Sequence, residues 1–168
     1  MTEVPPVDRS QRCLTDGSPV TEDHRDVNPD SGQQKGYVVL TAEERAKGFV
    51  RPVRRSYQHV GAAGPKNPLR DLTDEEKQRY AEYGYVKYET YPRDGKSSSL
   101  GRFWTQAALD KIGKGCGAVT TMGQALAETY ARDPSFYSGT FCVGCRAHFP
   151  VGANGEFVWD GSDERVGT

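Results

Sequence analysis

The stretch Thr140-Phe-Cys-Val-Gly-Cys145 decides how the second half of this chain of 168 residues folds. Its two cysteines are separated by two residues, a spacing that lets both thiolates point at one metal ion. Gly144 lies between them and allows the backbone to curl beneath the ion. One such pair supplies only half of a tetrahedral site, so further ligands must come from elsewhere in the sequence.

Cys116 is the candidate for the third ligand. It lies in the glycine turn Gly113-Lys-Gly-Cys-Gly117, where the backbone can bring the sulfur close to another element. A helix predicted over residues 121–131 can then return the chain to Cys142. Three thiolates are therefore expected within reach of one ion.

A histidine is expected to supply the fourth ligand, and two positions compete for this role. His148 follows Cys145 by three residues, whereas His59 ends a predicted strand far earlier in the chain. A residue so close to the cysteine pair is expected to start the hairpin strand and to point elsewhere, which favours His59 and leaves His148 as the alternative. Three thiolates and an imidazole predict a closed, structural Zn²⁺ site, because a catalytic zinc keeps one position open.

Other interpretations of the cysteines fit the sequence less well. The chain has no apolar run approaching the roughly 20 residues that span a bilayer and no signal peptide, so we expect a cytoplasmic protein without a membrane partner. Disulfides are disfavoured in that compartment. Buried free thiols would have no reason to adopt the two-residue spacing, and a thioredoxin-like pair would precede a helix rather than a hairpin.

The N-terminal residues 1–35 differ in composition from the rest of the chain. They are rich in Asp, Glu and Pro and show almost no apolar periodicity. Such a segment buries too little apolar surface to offset its ordering entropy, so we expect an extended or disordered arm that gains order on a partner. The folded domain is then predicted over residues 36–168.

Capping motifs predict the starts of short helices. Thr41-Ala-Glu-Glu44 and Thr73-Asp-Glu-Glu76 each place a Thr three residues before a Glu, which is a capping box. Thr105 is expected to cap a helix within residues 104–112, and Thr121 with Gln124 to cap the helix over residues 121–131. The sequence therefore predicts three or four short helices.

Strands are predicted over residues 36–40, 49–60 and 85–91. A hairpin is predicted over residues 140–159, with strands at residues 140–151 and 156–159 joined by a polar turn at residues 152–155. Pro52 cannot donate to a sheet, so residues 49–60 are expected to form an edge strand or a bent one. A loop is expected over residues 93–101. Together these signals predict an α+β fold with a small antiparallel sheet, a zinc-ribbon-like C-terminal hairpin and the N-terminal arm.

A basic stretch is the second candidate for a binding function. Between residues 45 and 70 the chain has basic residues but no acidic one: Arg45, Lys47, Arg51, Arg54, Arg55, Lys66 and Arg70. A phosphate backbone or an acidic protein surface would favour this pattern. The alternative is a solvated face whose arginines pair with acidic residues of the same chain.

Catalytic motifs are not evident in the sequence. It has no Gly-x-Ser-x-Gly elbow, no HExxH, no phosphate-loop spacing and no dinucleotide fingerprint. A non-enzymatic protein is therefore the favoured expectation.

Three stretches resemble small zinc-binding proteins encoded by tailed bacteriophages and prophages: Gly115-Cys-Gly117, Ala127-Glu-Thr-Tyr-Ala-Arg-Asp-Pro134 and Thr140-Phe-Cys-Val-Gly-Cys145. The resemblance extends over residues 36–168 and implies a phage context without implying an activity. The leading hypothesis is a zinc-stabilised binding protein attached to a phage assembly, as a capsid decoration or other virion protein, located in the virion or the host cytoplasm. The alternatives are a nucleic-acid-binding zinc module that uses residues 45–70 and a zinc hydrolase or nuclease.

Overall fold

A computed structural model of the protein describes residues 3–91 and 101–168. The loop expected over residues 93–101 lies, except for Gly101, outside the described residues. Contacts divide the chain into two units, one formed by Met1–Val60 with Gly115–Thr168 and the other by Gly61–Lys114. The predicted α+β class is confirmed, because short helices accompany small antiparallel sheets.

The elements follow one another as β1 (Arg12–Leu14), β2 (Val38–Leu40), α1 (Ala42–Arg45), β3 (Ser56–His59), β4 (Leu69–Asp71), α2 (Asp74–Arg79), β5 (Tyr85–Glu89), β6 (Phe103–Thr105), α3 (Gln106–Asp110), β7 (Val119–Thr121), α4 (Gln124–Arg132), β8 (Gly139–Cys142), β9 (Ala147–Pro150) and β10 (Phe157–Trp159). A 3-10 turn over Ala81–Tyr83 precedes β5.

The sheet that positions the candidate site has β3 at its centre, between β10 and β7, with both pairs antiparallel. Side chains alternate along β3, so Tyr57 and His59 are buried while Ser56 and Gln58 are partly exposed. The prediction of an edge strand was wrong. Pro52 precedes the strand, which begins only at Ser56, and therefore does not prevent pairing on both edges.

The C-terminal hairpin is formed by β8 and β9, whose pairing ends at Cys142 opposite Ala147. The two cysteines of the pair therefore lie in and beside its turn. The predicted pairing of residues 140–151 with residues 156–159 across a turn at residues 152–155 was wrong. Residues 157–159 form β10, which pairs with β3 and not within the hairpin. Phe157, Val158 and Trp159 are all buried, so both faces of this apolar strand are covered.

Helix α4 packs on this sheet and completes the core of the first unit. The buried core residues are Tyr57, Met122, Ala127, Tyr130, Cys142, Phe157, Trp159 and Val166. The helix begins one turn later than predicted, with Gly123 at its N-cap and no side-chain capping bond. Thr121 was expected to cap it, but Thr121 is held in β7 opposite Ser56.

The segment assigned by sequence to an arm belongs to the first unit. Within it, β1 pairs antiparallel with β2. Arg9 donates to both carboxylate oxygens of Asp133, at 2.7 and 3.0 Å. These contacts within the chain explain why this segment is ordered.

A buried ion pair lies beneath the start of that segment. Glu44 and Arg132 are both about 1% exposed, and Nη2 of Arg132 lies 3.0 Å from Oε1 of Glu44. The N–H of Asp8 donates to the same Oε1 at 3.0 Å, and the carbonyl of Pro6 accepts from Arg132 at 3.2 Å. Residues 6–8 therefore supply hydrogen bonds to two buried charges.

The second unit contains the sheet β4-β5-β6 with α2 and α3. The capping box of Thr73 and Glu76 is confirmed by both of its hydrogen bonds. Thr105 caps α3 through the N–H of Ala108, as predicted, but Trp104 belongs to β6 and not to the helix. None of the helices within the described residues combines the length and the hydropathy that a membrane crossing requires.

Candidate metal centre

Four side chains converge between β3, β7 and the β8-β9 turn. Nδ1 or Nε2 of His59 and the sulfurs of Cys116, Cys142 and Cys145 all lie within 4.8 Å of one another. Sγ of Cys116 is 3.4 Å from Sγ of Cys142, and Sγ of Cys145 is 3.5 Å from Nδ1 of His59. A tetrahedral zinc ion bound at about 2.3 Å by sulfur and about 2.0 Å by nitrogen separates its ligands by about 3.5–3.8 Å. The cluster therefore has the dimensions of a metal site.

The turn after β8 holds Cys142 and Cys145. The N–H of Cys145 donates to Sγ of Cys142 at 3.5 Å, and the N–H of Arg146 donates to the carbonyl of Cys142 at 2.8 Å. Arg146 has a φ of 54°, in the left-handed region that few residues other than glycine adopt. This bend turns the chain from the cysteine pair into β9.

The backbone of β3 and the segment before β7 place Cys116 beside His59. The N–H of Gly117 donates to the carbonyl of His59 at 2.9 Å, and the N–H of His59 donates to the carbonyl of Ala118 at 3.1 Å. The N–H of Ala118 also donates to Sγ of Cys116 at 3.5 Å. Main-chain pairing thus fixes the third sulfur opposite the cysteine turn.

The imidazole of His59 is oriented by groups on both sides of its ring. It stacks on Phe149 with ring centroids 4.5 Å apart and packs against Phe157 at 4.9 Å. Nε2 lies 3.0 Å from Oε1 of Glu156. Because an ionised carboxylate only accepts hydrogen bonds, we assign the ring proton to Nε2, which leaves the Nδ1 lone pair for the cluster.

Two thiols of the cluster have pKa values that are shifted in opposite directions. The pKa of Cys116 is lowered to about 6, first by the N–H of Ala118 and then by hydrogen bonds from neighbours in the cluster. The pKa of Cys145 is raised to about 12, first by desolvation and then by the sulfurs of Cys116 and Cys142. Crowding therefore favours one thiolate over several, and a cation would offset the repulsion between further thiolates.

The two sides of the cluster differ in exposure. His59 and Cys142 are buried at 3% and 0% exposure, whereas Cys116 and Cys145 are exposed. The buried pair anchors the site to the core, and the exposed pair leaves a route by which an ion reaches it.

The structure does not bring His148, the alternative ligand, to the cysteines. Its Nε2 atom lies 2.9 Å from the hydroxyl of Tyr37, and partial burial lowers its pKa. His148 is on β9 opposite Phe141, so the pairing of the hairpin strands sets its position. The expectation that a residue so close to the cysteine pair points elsewhere agrees with this placement.

Two residues of the site have roles that sequence reasoning missed. Glu156 gave no sequence signal, because its contact with His59 depends on the pairing of β3 with β10. Gly144 was expected to allow the turn to curl. The structure adds that a Cβ atom at this position would lie 2.9 Å from Sγ of Cys116 and 2.7 Å from Cβ of Ala118. A close approach to the third ligand therefore requires glycine here.

The basic stretch is distributed over both units, with residues 45–55 in the first unit and Lys66 and Arg70 in the second. Four of its cations are in ion pairs: Arg45 with Glu128, Lys47 with Glu44, Arg54 with Glu164 and Arg70 with Glu76. Arg51 donates to the carbonyl of Val50, and Arg55 to that of Met122. Much of its charge is therefore balanced within the chain.

Fold and site together define a small α+β protein with a cluster of three cysteines and one histidine that is compatible with a bound metal ion. No family model, curated protein or solved structure matches the chain.

Proposed function

We propose that His59, Cys116, Cys142 and Cys145 bind one Zn²⁺ ion and that the protein is a non-enzymatic binding protein stabilised by this ion. The observation that carries the proposal is the convergence of four ligand atoms within 4.8 Å of one another. The carboxylate of Glu156 behind the imidazole adds the outer partner that metal-bound histidines usually have.

The donor set supports zinc over other ions. Thiolates are soft ligands that suit zinc, copper(I) and iron–sulfur clusters, and calcium and magnesium require oxygen ligands. Three sulfurs with one imidazole in a compact arrangement correspond to the Cys₃His set of structural zinc sites. The ion would place a double positive charge among thiols that otherwise repel one another as thiolates.

The number of protein ligands supports a structural role over a catalytic one. A catalytic zinc has three protein ligands and an open position for water. Here four side chains account for a tetrahedral shell, and Glu156, the carboxylate nearest to the histidine, is already bonded to Nε2. The hydrolase hypothesis is accordingly the weaker one.

A bound ion would connect three segments that are distant in sequence. It would tie β3 to the segment before β7 and to the β8-β9 turn. Without it, two hydrogen bonds join the turn to the sheet. The hydroxyl of Tyr57 donates to the carbonyl of Phe141, and the N–H of Val143 donates to Oγ1 of Thr120 at 3.0 Å. Because the ion binds only the folded chain, its binding energy would stabilise the fold.

Native mass spectrometry with elemental analysis tests the proposal. We expect one zinc per chain, removed by a chelator together with a loss of near-UV circular dichroism and a fall in Tm. Cys142→Ser should lose the metal and destabilise the first unit. Cys13→Ser is the matched control, since Cys13 lies in β1 and outside the cluster.

Two outcomes would contradict the zinc proposal. One is a freshly purified protein that contains no metal and takes up none when zinc is added. The other is a Cys142→Ser variant that keeps both the metal and the Tm of Cys13→Ser.

The proposed partner is a larger phage assembly, such as a capsid, and nucleic acid is the second candidate. The resemblance to phage and prophage proteins supports the first. The order of residues 3–35 does not add support, because contacts within the chain account for it. Proteomics of purified virions from the phage or prophage that encodes the chain tests this part separately. Absence from the virions would contradict attachment without affecting the zinc site.

A further inference from the structure

A cleft of about 570 Å³ lies in the first unit, in a region that the metal centre does not use. Its walls come from the N-terminal segment, from residues 136–139 before and at the start of β8, and from β9. The volume falls in the range of about 300–1,000 Å³ that is usual for small-molecule sites.

The lining of the cleft is cationic. Three guanidinium groups supply this charge, from Arg9, Arg12 and Arg25, and the imidazoles of His24 and His148 lie beside them. Among the residues that the structure describes, no aspartate or glutamate lines it. The chain as a whole has 23 acidic and 22 basic side chains, so this concentration of one sign is a local feature and not a reflection of composition.

Two of these arginines have charges that the chain leaves unbalanced. In the described part of the chain, the guanidinium groups of Arg12 and Arg25 have neither an ion pair nor a hydrogen bond. Arg9 differs, because it is bonded to Asp133. Cations that face one cleft without a counter-charge raise its local potential and attract an anion.

The remaining lining indicates what else the ligand contains. Phe136 and Tyr137 supply aromatic surface, and Ser138 and Gln34 supply neutral polar groups. Nδ1 of His24 lies 2.6 Å from the carbonyl of Thr21, which places a proton on Nδ1 and leaves Nε2 for another partner. The cleft therefore offers charge for an anion and flat apolar surface for its carrier.

We propose that this cleft binds a small phosphorylated molecule whose non-phosphate part carries a flat ring, such as a nucleoside monophosphate. A phosphate monoester carries close to two negative charges and accepts bidentate hydrogen bonds from guanidinium groups, which matches two unpaired arginines better than a single carboxylate does. The site is separate from the proposed zinc ion, so loss of one function leaves the other to be tested.

Isothermal titration calorimetry of the metal-loaded protein tests the proposal with adenosine monophosphate as the probe. Inorganic phosphate and adenosine, each titrated alone, separate the contribution of the phosphate from that of the aromatic carrier. We expect saturable binding of the monophosphate, competition by inorganic phosphate and much weaker binding of adenosine.

The arginines are tested one at a time with a matched control. Arg12→Gln and Arg25→Gln should each weaken binding by about tenfold or more, because each removes a charged hydrogen-bond donor. Both residues are exposed, so the substitutions should leave the Tm unchanged. Arg79→Gln removes the same charge from an exposed position outside the cleft and should alter affinity by less than about twofold.

Two results would overturn the proposal. The first is no saturable binding of either the monophosphate or inorganic phosphate at millimolar concentration. The second is an equal loss of affinity in Arg79→Gln and in the two cleft variants, which would show that binding depends only on the net charge of the protein.

Discussion

The carboxylate of Glu156 lies 3.0 Å from Nε2 of His59, while the opposite ring nitrogen, Nδ1, faces the sulfur of Cys145 at 3.5 Å. Glu156 supplies no ligand atom to the cluster, but its contact with His59 makes it part of the candidate site. It fixes the tautomer and the ring orientation that a metal ion needs.

Replacing Glu156 by Gln should weaken zinc binding by about 10- to 100-fold, the usual cost of losing an outer-shell partner. The amide retains the shape of the carboxylate but loses its charge. Competition with a chromophoric chelator measures the affinity. Glu164→Gln is the control, because Glu164 pairs with Arg54 and not with the cluster. Equal affinities of the two variants would contradict a positioning role for Glu156.

Gly144→Ala should reduce both zinc affinity and Tm. The new methyl group would lie 2.9 Å from Sγ of Cys116, so the cysteine turn would have to move away from the third ligand. Gly64→Ala is the matched control, since its added Cβ would make only an ordinary contact with Ile112 at 3.5 Å. A Gly144→Ala protein with the zinc affinity of Gly64→Ala would show that the turn tolerates a side chain.

Removing residues 1–9 should lower the Tm by about 4 °C or more. The deletion takes away the Pro6 carbonyl that accepts from Arg132 and the Asp8 N–H that donates to Glu44, and it leaves buried charges short of partners. Thermal unfolding followed by circular dichroism measures the effect. Removing residues 1–3 retains these bonds and serves as the control. An unchanged Tm in both deletions would indicate a segment that contributes nothing to the fold.

The stability supplied by Glu44 should depend on pH in a defined direction. Hydrogen bonding by Lys47, then by the Asp8 N–H and by Arg132, lowers the pKa of Glu44 from 4.5 to about 2 in the folded protein. A carboxyl whose pKa is lowered by folding stabilises the protein fully above its unfolded pKa and loses this contribution as pH falls through its folded pKa.

Urea unfolding of the wild type and of Glu44→Gln at several pH values measures this dependence. The wild type should be the more stable protein above pH 4.5, and the difference should shrink as the pH approaches 2. Taking the difference cancels any effect of losing the proposed zinc ion at low pH, because that loss would affect both proteins. A difference that stays constant over this range would show that the charge of Glu44 does not matter.

Local signals in the sequence were sufficient for several features of the fold. The Thr73–Glu76 capping box forms with both of its hydrogen bonds, and Thr105 caps the helix that follows it. These motifs depend on residues a few positions apart, whose geometry is set by backbone dihedrals and side-chain reach. Thr121 is the counterexample: its capping signal was present, but pairing with Ser56 in the sheet took precedence.

Residue types and short spacings were enough to predict the ligand residue types, the α+β class and the helix starts at Thr41, Thr73 and Thr105. Other features are visible only in the folded chain. His59 reaches the cysteines, whereas His148 contacts Tyr37. Glu156 supports the imidazole of His59, and β3 lies at the centre of its sheet. The physical reason is that these relationships join residues far apart in the chain. Their distances depend on which strands pair and which faces are buried, and no local spacing encodes either.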